Sequence, residues 1–455
     1  MSVDMSRHFS LGALLRFTAP TIAMMLVMSF YTIVDGFFVS RYIGSTALAA
    51  VNFAWPLHII LGTIGFMIGT GGTAIISATR GSGDEARARQ QFSLLVYVAL
   101  AAGVIAAIFG LLTLRPALSF LGAQGDLLNQ SYAYGIIITV AVPALIAQYM
   151  FQTFFIAAGK PKLGFAVTIV SGIANIVLDY ILIIPLDMGI VGAAIGTASA
   201  EAVGGIIPLI YFASKNSSFL RLGRTHFDGH TIIATIINGS SEMVSNIAMS
   251  VVTVAYNVQL LRYLGENGVA AYSLIMYAAF GFSAISLGFV TGSSPLMSFQ
   301  WGAKNRVEMQ SLFRLSLRVL AVAGVVMFVV TQLVARPLAQ FFVGYDAALT
   351  DLTVHAARIF SLVMPTMGFN LYASALFTAL ENGKISALLT FVRVLICEIS
   401  AVFLLHLAFG GEGIWFSAAV AEIPALALSF FFIWRLRGHY GYLPVPSRRC
   451  EEGEA

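Results

Sequence analysis

The stretch "RYIGSTALAA" occupies residues 41–50, and "RYLGENGVAA" occupies residues 262–271, an offset of 221. The same offset relates Arg115-Pro116 to Arg336-Pro337, Gly81 to Gly302 and Phe92 to Phe313. It also carries Glu201 in "AEAVGGIIP" onto Glu422 in "AEIPALALS". One shift that holds over so much of the chain marks an internal duplication. The architecture then depends on what the duplicated unit is.

Composition answers that. Of 455 residues, 58% are hydrophobic and 10% charged, and the mean hydropathy is +0.88. A soluble domain carries about 25% charged residues, so this chain cannot coat a water-facing surface. A membrane helix needs about 20 mostly apolar residues. Twelve segments meet this: 12–38, 46–77, 91–113, 130–157, 163–185, 190–213, 231–261, 268–299, 313–334, 353–379, 386–408 and 411–434. The repeat therefore holds six helices. Six is even, so both copies cross the bilayer in the same sense, about an axis along the membrane normal, with a cavity between them. The expected fold is an all-α polytopic membrane protein of twelve transmembrane helices in two pseudo-symmetric six-helix bundles. The expected units are residues 1–213, a cytoplasmic linker 214–230 ("SKNSSFLRLGRTHFDGH"), residues 231–437 and a cytoplasmic tail 438–455.

Basic residues set the orientation. With both termini inside, 20 of the 25 Lys and Arg fall on the inner side. Arg41, Arg115, Arg262, Arg336 and Arg358 are left outside. The lead-in "MSVDMSRHFSLGALLRFTAP" has no short apolar core before a cleavage site and reads as cytosolic, not as a signal peptide. A multi-pass protein of a bacterial plasma membrane, acting as a monomer in the lipid bilayer, is expected.

Several function classes are excluded. The net charge of +4 is too small to imply a nucleic-acid partner. The "GTGG" at 69–72 lacks a preceding strand and a following Gly-Lys-Ser/Thr, so it reads as close helix packing rather than a nucleotide loop. The chain shows no His/Cys metal cluster and no Ser/His/Asp constellation, so neither an enzyme nor a bound cofactor is expected. Cys397 and Cys450 read as inert thiols, and His58 and His406 as satisfied or interfacial residues.

The chemistry lies in acids set among apolar residues. A charge in the bilayer costs at least about 2.5 kcal/mol. Asp35 sits in "SFYTIVDGFFVSRYIG", about a turn inside the outer end of the first segment. In "ANIVLDYILIIP", Asn175 and Asp179 are four apart and share a helix face. The rise per residue puts Asp179 and Thr197 at similar depths, each about 10 Å from the outer helix ends. These oxygens suit a hard cation such as Na⁺, or a proton held by two neighbouring acids. At the 221 offset Asp35 falls on Tyr256, Asn175 on Ile396 and Asp179 on Ser400. A structural pair would recur in both halves; this group does not, which favours a function lodged in the first half. Glu201, Glu242, Glu398 and Glu422 are expected near the midplane, the Glu201/Glu422 pair in a structural role. No Lys or Arg is expected there. Tyr31, Glu242, Tyr256 and Asn257 are candidates to line a cation-favouring substrate cavity. Pro20 interrupts the backbone bonding of the first helix and allows it to bend.

These residues carry a resemblance. "YTIVDGFFVSRYIGSTALAAV", the Gly-rich end of the second helix with "RGSGDEARA", and "GGEGIWFSAAVAE" resemble the multidrug and toxic compound extrusion (MATE) transporters over residues 10–437. The spacing of Pro20, Asp35, Asn175, Asp179 and Thr197 resembles the DNA-damage-inducible prokaryotic branch. The resemblance implies that these residues form a cation site in the first lobe and that Pro20 bends when it is protonated. Glu242 resembles the seventh-helix acid of another branch, but the tenth helix here lacks the aspartate used there. The implied function is efflux of amphipathic, often cationic, small molecules in exchange for H⁺ or Na⁺. The alternative in the same superfamily is a lipid-linked oligosaccharide flippase, which needs basic residues in its cavity.

Overall fold

The computed structural model describes residues 5–344 and 346–443; Cys450 and most of the expected tail lie outside them. The described chain is helical, with no strand among the described residues. Among the described residues, eleven helices are long and apolar enough to span a membrane, and a bent pair makes a twelfth. In chain order they are α1 (Leu11–Ile43), α2 (Thr46–Gly81), α3 (Glu85–Phe120), α4 (Gly125–Val140 with Val142–Ala157), α5 (Pro161–Ile183) and α6 (Gly189–Ala213). The second bundle holds α7 (Gly229–Gly265), α8 (Asn267–Gly302), α9 (Arg306–Val343), α10 (Ala347–Ala379), α11 (Gly383–Phe409) and α12 (Gly411–Tyr440). Each bundle buries its own aromatic and aliphatic core. Phe92, Phe151, Phe154 and Phe212 pack in the first, and Tyr256, Trp415, Met364 and Phe360 in the second.

The repeat is visible in the backbone. In "RYIG" and "RYLG" the glycine makes the turn between the first two helices of each half. Gly44 has φ 124° and Gly265 φ 64°, conformations that a residue with a Cβ adopts only under strain. The following turn is also paired: the side chain of Asp84 caps α3 by accepting from Arg87 N, and that of Asn305, 221 residues on, caps α9 by accepting from Glu308 N. The break in α4 falls at Ala141, where its two parts bend by 55°. Its counterpart in α10 is a 3₁₀ turn at Ser361–Val363. The apolar run 130–157 thus forms one span, but a broken one, and Pro143 just beyond the break withholds a backbone donor. Several helices outrun their apolar segments: α3 and α9, at 36 and 38 residues, are longer than the roughly 30 Å hydrocarbon layer requires.

The two described ends of the chain meet on one face. Phe9 N donates to Glu308 Oε1 at the start of α9 (2.8 Å), and Gln310 Nε2 donates to Gly441 O (3.0 Å). On this terminal face the bundles also touch each other. A methyl at Gly81 would overlap Phe299 O, and one at its repeat mate Gly302 would overlap Ala78 O. Deeper in, Gly71 of α2 lies against Gly239 of α7, and the repeat-related Gly292 of α8 against Thr18 of α1. Small residues let these backbones approach within a methyl group of each other.

Candidate functional site

The candidate site is built where α1 crosses α5 and α6. The Tyr31 ring lies on Gly172 of α5, where an added Cβ would be 3.1 Å from Tyr31 Cδ1. One turn on, the carboxyl groups of Asp35 and Asp179 come within hydrogen-bonding reach of each other. Gly196 of α6 makes room for this, since a methyl there would overlap Asp179 Oδ1. Asn175 and Thr197 flank Asp179 on the same two helices. Asp179 is fully buried, and Asn175 and Thr197 are buried as well. Because α1 continues through a π-helical turn, Val39–Ile43, Asp35 lies about 12 Å from the helix end, deeper than the apolar run implied. Pro20 sits well below, within a helix that continues through it, between Thr18 and Thr21, where α8 packs.

The site is unbalanced in its hydrogen bonding. Among the described residues, Asp35 Oδ1, both Asp179 carboxylate oxygens, Asn175 Oδ1 and Thr197 Oγ1 are buried with no partner. Most are acceptors, and a buried acceptor without a donor costs about 1–3 kcal/mol. What satisfies such a cluster is a proton held between the carboxyl groups or a small hard cation ringed by oxygens. Two carboxylates with neutral amide and hydroxyl oxygens fit a monovalent ion. Among the described residues no group of three or more His, Cys, Asp or Glu could hold a metal.

One neighbour, Tyr134, was not legible in the sequence, and a second, His58, is the satisfied histidine that the sequence suggested, though its partner could not be read. Tyr134, from the first part of α4, stands next to Thr197 with its hydroxyl buried. His58 of α2 bonds Glu201 of α6, Nε2 to Oε1 at 2.7 Å, with both side chains buried. Each sits in an apolar run with nothing to mark it as pointing inward.

The remaining candidates are not gathered here. Tyr256 is buried in the core of the second bundle, its ring stacked on Tyr272 with centroids 4.8 Å apart. Asn257 is half-buried beside it, its Oδ1 without a partner among the described residues. Glu242 is 14 residues before Tyr256, about 21 Å along α7, and lines a separate cavity between the bundles with Thr73 of α2, Thr291 of α8 and Arg393 of α11.

One expectation is corrected. Arg393 lies within the membrane-spanning helix α11, ten residues past its start at Gly383, about 15 Å in. Its Nε and Nη2 donate to Glu422 Oε1 at 2.8 and 2.7 Å. Glu422 Oε2 accepts from Asn370 Nδ2, and Asn370 Oδ1 accepts from Ser429 Oγ. A base does therefore neutralise one of the midplane acids. The expected span 386–408 contains this arginine, and it was missed because an arginine seven residues from a span's start can reach the interface along its own side chain.

Twelve helices in two like bundles, with a carboxyl pair walled into one of them, define a membrane transporter of the two-lobed kind. The chain belongs to the MATE family: the MatE family profile matches residues 20–181 and again residues 242–404, once in each repeat. It is 25% identical over 426 residues to the multidrug export protein MepA of Staphylococcus haemolyticus, covering 93% of both chains. It is 23% identical over 425 residues to that of Staphylococcus saprophyticus, again covering 93% of both. Among solved structures, the outward-facing conformation of a multidrug resistance MATE family transporter superposes with a TM-score of 0.90 at 20% identity, covering 95% of this chain and 97% of that one. A MATE in complex with MaL6 also gives 0.90 at 20% identity, with 95% and 97% covered. As a member of this family the chain is a membrane transporter and not an enzyme.

Proposed function

We propose that this protein is a secondary antiporter of a bacterial plasma membrane. It exports amphipathic, often cationic, compounds in exchange for H⁺ or Na⁺, with both termini cytoplasmic. The observation that carries the reading is the contact between Asp35 and Asp179, buried and ringed by unpartnered oxygens. Ionised, the pair repels itself and draws in a cationic substrate. A proton, or Na⁺ held by Asp35, Asn175, Asp179 and Thr197, removes the reason for that substrate to stay. Substrate and coupling ion then exclude each other at one place, which is the requirement for antiport. Pro20, beside the α1–α8 packing, is where α1 would yield. With the termini inside, contact between the bundles on the terminal face corresponds to closure towards the cytoplasm.

The relatives named as multidrug export proteins support export over lipid-linked oligosaccharide flipping. So does the pairing of Arg393 with Glu422, which leaves no uncompensated base on the cavity wall among the described residues. The test is proteoliposomes with a trapped pH dye, given tetraphenylphosphonium or ethidium. Proton movement on substrate addition, in the sense opposite to the substrate, is expected with an H⁺-coupled protein, and dependence on a Na⁺ gradient with a Na⁺-coupled one. Substrate flux that ignores both gradients would overturn the reading.

A further inference from the structure

The corner of the first bundle where α5 begins and α6 ends gathers bases without acids. Lys160 and Lys162 flank Pro161 at the start of α5, and Lys215 and Arg221 follow the end of α6. Two of the four are fixed on neighbouring residues of one turn. Lys160 Nζ donates to Ser217 Oγ at 3.0 Å, and Arg221 Nη2 donates to Asn216 O at 3.2 Å. The turn is itself braced: Asn216 Oδ1 accepts from Ser218 N and Ser218 Oγ, and Leu220 is fully buried. Lys162, Lys215 and Arg221 are exposed and Lys160 is half-buried. None of the four joins an ion pair among the described residues, where the paired bases are Arg80, Arg89, Arg336, Arg393 and three histidines. Basic residues on this face set the orientation, but that requires only their sign. It does not hold two of them on one turn or keep acids away. At the 221 offset Lys160 falls on Glu381, so the corresponding corner of the second bundle carries an acid among its bases.

An apolar surface runs down from the same corner. On α5, Lys162, Ala166, Val170, Ile173 and Val177 follow one another at three or four residues and are all exposed. That spacing puts them on one helix face, which leads from an ammonium group to apolar side chains. On α6, which packs beside α5, Ile206 and Ile210 are exposed over the last two turns before Lys215.

We propose that this corner is a binding site for an acidic phospholipid of the leaflet on the terminal side. Its phosphate is held by Lys160, Lys162, Lys215 and Arg221, and its acyl chains lie along the exposed faces of α5 and α6. A phosphodiester brings the missing negative charge and oxygens that accept from ammonium and guanidinium groups. A zwitterionic lipid brings a cation of its own, which the four bases repel. A soluble phosphate answers the charge but leaves the apolar stripe bare. Because Asn216 and Ser217 belong to the linker, the bound phosphate ties residues 214–230 to the start of α5. The linker is already tied to α3, where Gly223 N donates to Ser93 Oγ and Thr225 Oγ1 to Gln90 O. The lipid thus fastens the linker to the first bundle, and the site stands whether or not the exporter reading does.

The test is native mass spectrometry of the purified full-length protein in detergent, titrated with dioleoylphosphatidylglycerol or dioleoylphosphatidylcholine. The first phosphatidylglycerol is expected to bind at least about tenfold more tightly than the first phosphatidylcholine. Lys160→Gln with Lys162→Gln should weaken the first phosphatidylglycerol at least about tenfold and leave phosphatidylcholine unchanged. Arg314→Gln with Arg318→Gln removes the same charge from exposed positions of α9 and should leave phosphatidylglycerol as in wild type. Lys162→Gln with Lys215→Gln, both at exposed positions, decides the matter if loss of the Lys160–Ser217 bond unfolds the corner. Equal affinity for the two lipids in wild type, phosphatidylglycerol binding unchanged in both lysine variants, or an equal loss in the α9 variant would overturn the site. Displacement of the lipid by excess inorganic phosphate would assign the bases to a soluble phosphate and overturn the lipid as occupant.

Discussion

Glu201 and Glu422 occupy one slot of the repeat, yet they take different partners. Glu201 is bonded to His58 at 2.7 Å, and Glu422 to the guanidinium of Arg393 at 2.7 Å. Repeat mates of the partners do not recur, since His58 maps onto Ala279 and Arg393 onto Gly172. Gly172 is the residue on which Tyr31 rests. Putting an arginine in that slot of the second half fixes one acid, and leaving it out of the first frees the space for α1 to approach.

Removal of one partner of a buried ion pair strands the other, at a cost of about 3–5 kcal/mol, whereas replacing both with apolar residues is nearly neutral. Arg393→Leu is therefore expected to lower the thermal unfolding temperature of the purified protein sharply. Arg393→Leu with Glu422→Leu should recover most of the loss. Equal unfolding temperatures for the single variant and the wild type would show that the pair does not hold α11 to α12.

The glycine contacts on the terminal face make a second expectation. Gly302→Val places methyl groups against the carbonyl of Ala78, a backbone atom that cannot step aside. The bundles should then be unable to close at this end. A single cysteine at Thr73, buried in the closed form, should be labelled several-fold faster from the terminal side in membrane vesicles, and export should be lost. Gly302→Ala should show the same changes in milder form. Labelling and export at wild-type levels would mean that the bundles do not separate here.

The twelve spans, their division into two sets of six and the polar residues of the carboxyl site were all legible in the sequence. The reason is physical: lipid tolerates few charges, so Asp35 and Asp179 stand out in runs such as "YTIVDGFF". The turn glycines were legible for a related reason, because "RYIG" and "RYLG" keep a residue without a Cβ where φ is positive. What could not be read depends on packing between helices. Nothing in an apolar run says that it bends at Ala141, or that Tyr134 rather than a neighbouring residue turns towards Thr197. Arg393 fails differently: an arginine near a span end is ordinarily snorkelled to water, and only the position of Glu422 in the folded bundle turns it inward.

Orientation can be tested directly. Ser82, between α2 and α3, and Ser217, which accepts from Lys160 Nζ at 3.0 Å, are both exposed on the terminal face. With Cys397 and Cys450 replaced, a single cysteine at either position should resist an impermeant maleimide in intact cells and react after permeabilisation. Strong labelling in intact cells would reverse the orientation derived from the basic residues.

The carboxyl pair gives the prediction that bears most on mechanism. Asp35 and Asp179 touch in a site with no base among its described contacts and with several acceptors lacking donors. Two ionised carboxylates in contact repel, so a proton bound there is shared between them, and a cationic substrate competes with that proton. In wild type, binding of tetraphenylphosphonium should weaken as pH falls from about 8 to about 6, as the site fills with protons. Asn in place of either aspartate mimics the protonated form permanently and removes one charge. Asp35→Asn is therefore expected to fold, to reach the membrane and to lose pH-driven export, with substrate binding nearly independent of pH. Asp179→Asn should behave almost alike, because the pair titrates as one unit. Asn175→Ala should be milder, since it deletes a neutral oxygen and leaves both charges. If H⁺ is the coupling ion, adding Na⁺ should not change these profiles; if Na⁺ is, it should weaken substrate binding in wild type and have no effect in Asp35→Asn. Export by Asp35→Asn at the wild-type rate with an unchanged pH profile would show that the carboxyl contact is only a packing feature of α1 against α5.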